Sequence, residues 1–103
     1  MSDLRYNFKD SVGKNITLTG IISKIPWQHL IQFFSNRANI NYFDLENGEQ
    51  IVIYSREPIT CIGEMKITGE VIITKGSSKR PQKIQTETYE EYQLLVDAWE
   101  CIN

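Results

Sequence analysis

Residues 40–55 read INYFDLENGEQIVIYS, with an apolar alternation on each side of ENGE. Successive side chains of a strand point to opposite faces, so a period of two marks an element with one buried face. Asn47-Gly48 between two such runs supplies the positive φ angles of a tight hairpin turn. The unit commits the middle of the chain to antiparallel β structure.

The rest extends this pattern. Residues 14–25, KNITLTGIISKI, place Ile16, Leu18, Gly20 and Ile22 on one face and are rich in β-branched residues. Gly20 in mid-strand suggests a bulge or a sharp bend. Residues 64–74, EMKITGEVIIT, set Met65, Ile67, Gly69, Val71 and Ile73 inward against Lys66, Thr68 and Glu70 outward. Residues 92–102, YQLLVDAWECI, form a last strand whose two faces are both apolar, so its register stays open. Five strands result, in one domain spanning 1–103.

The connections differ. REPITCIG is short, contains Pro58 and cannot hold a long helix. PWQHLIQFFSNRAN is long for a hairpin loop. Trp27, Leu30, Ile31 and Phe34 fall at helical spacing behind Pro26, so the segment reads as either a short amphipathic helix or an extended arm. Its four residues form a packing stripe, with Phe33 the exposed exception.

Charge is distributed unevenly. The net charge is −2, yet Lys75, Lys79, Arg80 and Lys83 lie within nine residues that contain no carboxylate. The remaining seven basic residues face thirteen acidic ones, a balance of −6. Any polyanion must therefore be held by a local patch. Residues 84–103 carry five carboxylates and no Lys or Arg, so surface pairing across a hairpin is the alternative use of those cations.

Several classes are excluded as expectations. No apolar run is long enough to span a membrane as a helix. MSDLRYNFKD has no apolar signal core, and reads as a cytoplasmic start. No Gly-rich phosphate loop, nucleophile–base arrangement or metal-spaced ligand cluster is present, so neither an enzyme nor a cofactor is expected. His29 is the one histidine and has no nearby cysteine, which speaks against a metal site. YEEY (89–92) places its two carboxylates on opposite strand faces.

VGKNITLTGIISKI, NYFDLENGEQIVIYS and GEMKITGEVI together resemble the OB-fold superfamily of nucleic-acid-binding proteins, in its replication protein A-like and tRNA-anticodon-binding branches. The resemblance is carried by Gly13, Lys14 and Gly20; by Phe43, Leu45, Asn47 and Gly48; and by Gly63, Ile67 and Gly69. It covers residues 12–74 and implies an all-β, five-stranded Greek-key barrel with a long, optionally helical loop after strand 1. The family's helix between strands 3 and 4 has no room here; WQHLIQFF or LRYNF is left to plug the barrel. The same topology brings Cys61 towards Cys101, as two thiols or as a disulfide.

The resemblance further implies a ligand path across strands 2 and 3, flanked by the loops after strands 1 and 4. Lys75, Lys79, Arg80 and Lys83 are the expected phosphate contacts, with Arg37 a further basic candidate. Trp27, Phe33, Tyr42 and Tyr54 are the candidate stacking rings. The expected ligand is single-stranded DNA or RNA, bound without catalysis. The alternative is an accessory subunit that docks a partner protein through the same barrel, with the apolar WQHLIQFF segment in favour.

Overall fold

The fold is described from a computed structural model, covering residues 8–25, 29–78 and 87–102. Five strands form a closed barrel: β1 (Asn15–Ile22), β2 (Asn39–Leu45), β3 (Gln50–Ser55), β4 (Met65–Ser78) and β5 (Glu87–Cys101). The order around the barrel is β1-β2-β3-β5-β4. Neighbours are antiparallel except β3 and β5, which run parallel through Ile53↔Leu94 and Tyr54↔Leu95. The expected all-β, five-stranded architecture is what the chain adopts.

Closure depends on β1 serving two neighbours. It pairs with β4 along Asn15–Gly20 and with β2 along Gly20–Ile22, so Gly20 faces Met65 on one side and Leu45 on the other. A Cβ on Gly20 would run into the Asp44 carbonyl. The missing side chain thus permits close backbone approach where the sheet curls shut. At Gly20, the expected site of a bulge or bend, no register shift is found; the shift falls in the β4–β5 pairing. Thr68 pairs with Ala98 and Gly69 with Val96, leaving Asp97 as the extra residue of β5.

The β2–β3 turn needs one positive φ, where the sequence suggested a pair. Gly48 has φ 91°, and no non-glycine residue among those described has a positive φ. The Gly48 amide donates to the Leu45 carbonyl at 3.0 Å, and Leu45 N donates to Glu49 O at 2.8 Å. Asn47 works through its side chain, whose Oδ1 accepts from Glu49 N at 2.9 Å.

Leu18, Phe43, Leu45, Ile51, Ile53, Met65, Ile67, Val71, Leu94 and Val96 fill the interior. Each such side chain contributes roughly 1.5–3 kcal/mol by leaving water. The register of β5 is thereby decided: Leu94 and Val96 point inward, and Gln93 lies on the outer face. Phe8, in a 3₁₀ turn (Phe8–Ser11), joins the core with its ring 6.4 Å from Tyr92. The described connector 56–64 contains no helix, so Phe8 supplies an apolar contact from the N-terminal side. Cys61 and Cys101 are disulfide-bonded, with Cα atoms 5.6 Å apart, and tie this connector to the end of β5.

β4 and β5 exceed their expected lengths. Their ladder continues past the barrel to Ser78↔Glu87. Gly76, Ser77 and Ser78, expected in the loop after strand 4, belong to β4, because Tyr89, Thr88 and Glu87 pair with them.

Candidate functional site

The long connection after β1 returns along the outside of the barrel. Its described parts, residues 23–25 and 29–38, contain no helix. Leu30, Gln32 and Phe34 are half-buried, while Ile31 and Phe33 are exposed, Phe33 to 78%. That alternation belongs to an extended strap rather than to a helical stripe. The helix-like spacing is overridden because barrel side chains claim the strap's backbone. Leu30 N donates to Glu91 Oε2 at 3.2 Å, and Leu30 O accepts from Gln93 Nε2 at 2.5 Å. Gln32 N donates to Tyr54 Oη at 3.0 Å. These groups are thus satisfied without i→i−4 bonds.

Under the strap lies a polar cluster on the outer face of β3, β4 and β5. Gln93 Oε1 accepts from the Tyr54 and Thr74 hydroxyls, each at 2.6 Å, and Gln32 Nε2 donates to Thr74 Oγ1 at 2.8 Å. Tyr54, Thr74 and Gln93 are all buried. No buried side-chain polar atom among the described residues lacks a partner, so the cluster escapes the desolvation penalty of an unmade bond. Burial raises the Tyr54 hydroxyl above the ordinary tyrosine pKa of 10.0; the hydrogen bond from Gln32 N opposes that shift, and the Glu91 charge adds to it. Phe34 packs edge-on against Tyr54, centroids 4.8 Å apart.

Each end of the strap carries a contact to a carboxylate. His29 Nδ1 lies 2.6 Å from Glu91 Oε1, and His29 Nε2 lies 2.8 Å from Gln50 Oε1. At the other end Arg37 Nη2 donates to Asp97 Oδ1 at 2.5 Å, with Arg37 Nε 3.4 Å from the Val96 carbonyl.

The strap and the β4–β5 ribbon meet at one place. A Cβ on Gly76 would lie 2.8 Å from Leu30 Cδ2, so Leu30 rests on the ribbon at a residue without a side chain. Phe33 is therefore carried on an element seated against the base of the basic stretch.

The candidate residues fare unequally. Lys75 is exposed and sits opposite Glu90 in the ladder. Lys79, Arg80 and Lys83 fall between Ser78 and Glu87, and with Trp27 they lie outside the described residues. Phe33 is exposed, as expected of it. Arg37 is engaged with Asp97. Tyr42 is half-buried with the His29 ring 5.5 Å away. Tyr54 is a correction: its ring is fully buried between β3 and the strap and offers no face to a base. For the same reason the outer face of β3, where Val52 is also fully buried, is covered by protein.

Sequence reasoning set His29 aside as a metal ligand and Glu91 as half of a carboxylate pair, and passed over Gln50 and Gln93. The one available signal was Gln93, a polar residue set in an apolar strand with an open register. No group of three or more His, Cys, Asp or Glu among the described residues is placed to hold a metal ion. Compared with protein-family models, curated proteins and solved structures, the chain shows no match in any of the three.

Proposed function

We propose that this chain is an OB-like module that binds single-stranded DNA or RNA without catalysing a reaction. The observation that carries the reading is the junction of strap and ribbon. Leu30 sits on Gly76 while Glu91 and Gln93 at the ribbon base hold its amide and carbonyl. An exposed ring, Phe33, and an exposed cation, Lys75, thus project from adjoining elements. Single strands are held by cations that follow phosphate and by rings on which bases stack. Lys79, Arg80 and Lys83 extend the cationic series in sequence, and Trp27 and Tyr42 extend the aromatic one. With β3 covered, the ligand path in this reading runs over the strap and the ribbon.

The test is fluorescence anisotropy of labelled 15-nucleotide DNA and RNA with wild type and Lys79→Glu/Arg80→Glu. With about four phosphate contacts, affinity falls about fiftyfold between roughly 50 and 200 mM salt. The variant loses most of the binding. No binding at micromolar protein and low salt would reject the reading.

A second reading, a docking surface for a partner protein, is favoured by Ile31 and Phe33 pointing outward from the strap. Under it the Lys79→Glu/Arg80→Glu change leaves partner binding unchanged, and Phe33→Ala abolishes it.

A further inference from the structure

Three features compete for attention: the disulfide-tied end of the barrel, the exposed apolar strap residues, and the contact of His29 with two acceptors. The third reaches furthest, because hydrogen-bond logic leaves the ring a single protonation state.

Glu91 is a carboxylate and can only accept, so Nδ1 donates to it across 2.6 Å. The partner of Nε2 is the Gln50 amide, whose orientation follows from its other contacts. Gln50 Nε2 faces Asp44 Oδ1 at 2.8 Å, Ser23 Oγ at 2.9 Å and the Ile25 carbonyl at 3.2 Å. The Ile25 carbonyl and the Asp44 carboxylate are acceptors only. Ser23 Oγ already accepts from Ile25 N and donates to Ile25 O, both at 3.1 Å. Reversing the amide would set its oxygen against two acceptor oxygens. Gln50 therefore presents Oε1 to the imidazole, and Nε2 must donate as well.

We infer that His29 is the positioning residue of the strap and performs this role with a proton on each ring nitrogen. Charged in this way, it bridges β5 through Glu91 and β3 through Gln50, at the point where the chain emerges onto the barrel's outer face. Losing either proton turns one of the two contacts from attraction to lone-pair repulsion. The clasp is therefore proton-linked: present with the ring charged, weakened as rising pH neutralises it. The titratable and charged groups around it are Glu91 on β5, Asp44 on β2 through Gln50, the Tyr42 ring on β2, and Tyr54 on β3 through the strap. The consequence for ligand binding rests on the nucleic-acid reading: a clasped strap holds Phe33 beside the ribbon. The clasp itself is tested without nucleic acid.

The chain has one histidine, so its ring signals are unambiguous. In ¹⁵N-labelled protein, two-bond ¹H–¹⁵N spectra taken where the Gln32 amide is protected should show both ring nitrogens protonated. A bare lone pair on either nitrogen, with that amide still protected, overturns the inference. In His29→Gln and Glu91→Gln, protection of the Leu30 and Gln32 amides should fall about tenfold or more, while β1–β4 ladder amides keep theirs and report an intact barrel. Unchanged strap protection in both variants also overturns it. A merely structural contact would not respond to protons. Wild-type protection at Gln32, corrected for intrinsic exchange, should fall as the ring-nitrogen signals report loss of a proton, and a profile that stays flat through that loss counts against the clasp. A doubly protonated ring in a protein that binds no oligonucleotide keeps the clasp and removes the nucleic-acid reading; oligonucleotide binding with a singly protonated ring does the reverse.

Discussion

The Tyr54 hydroxyl donates to the Gln93 amide oxygen at 2.6 Å, and both side chains are fully buried although both stand on the outer face of the barrel. An outer face normally meets water. Here one strap of chain replaces the water, and it does so with hydrogen bonds rather than with apolar area alone. Tyr54→Phe removes the acceptor for the Gln32 amide as well as the donor to Gln93. It should cost about 2 kcal/mol, read as a lowered urea midpoint at unchanged slope. A cost near zero would mean that water repairs the strap.

Tyr54 also sets an alkaline limit. Its hydroxyl is raised above 10.0 chiefly by burial, so the folded form keeps a proton that the unfolded chain releases. Stability from this group is complete below the ordinary tyrosine range and is lost as pH rises through it and beyond. Absorbance titration at 295 nm should show a late-ionising component that Tyr54→Phe removes. A wild-type curve identical to that of the variant, apart from amplitude, would reject this.

The barrel seam depends on Gly20. Any side chain there collides with the Asp44 backbone carbonyl, which cannot swing aside as a side chain can. Gly20→Ala should destabilise by about 3 kcal/mol or more. Gly48→Ala, which meets no atom but forces alanine to a φ of 91°, should cost only about 1–2 kcal/mol. The order of the two thermal midpoints checks the claim.

The Cys61–Cys101 bond spans 40 residues. Closing a loop of that size in the unfolded chain is worth about 4 kcal/mol in the entropic account. Cys61→Ser/Cys101→Ser should lower the denaturation midpoint accordingly. Thiol titration of the unfolded, unreduced wild type should find neither cysteine free.

Arg37 and Asp97 form a contrast with the buried cluster. The Asp97 side chain is 42% exposed, so solvent screens the pair. Arg37→Ala should cost no more than about 1 kcal/mol. If the loss instead matched that of Tyr54→Phe, this end of the strap would be the stronger anchor.

The strands were legible because their signal is local. Leu18 and Gly20, Phe43 and Leu45, Met65 and Ile67 each lie inward as a period of two requires. Asn47-Gly48 marked the turn, though Gly48 alone adopts positive φ. β5 resisted because Leu94 and Val96 on one face and Leu95 on the other are all apolar, and the polar Gln93 is buried as deeply as its neighbours. The helical spacing of Leu30, Ile31 and Phe34 misled for a related reason. Local spacing is blind to partners sixty residues away, and Leu30 has two of them, Glu91 as acceptor and Gln93 as donor.

The sequence by itself determined the alternating strands, the β2–β3 hairpin and the concentration of cations between residues 75 and 83, since each depends on neighbours in the chain. Only the tertiary structure decided which outer face is covered, that Tyr54 lies beneath it, that Cys61 is bonded to Cys101, and that His29 finds Glu91. Those outcomes depend on hydrogen-bond and contact geometry between residues 39 to 63 positions apart. No local periodicity encodes a match of that kind.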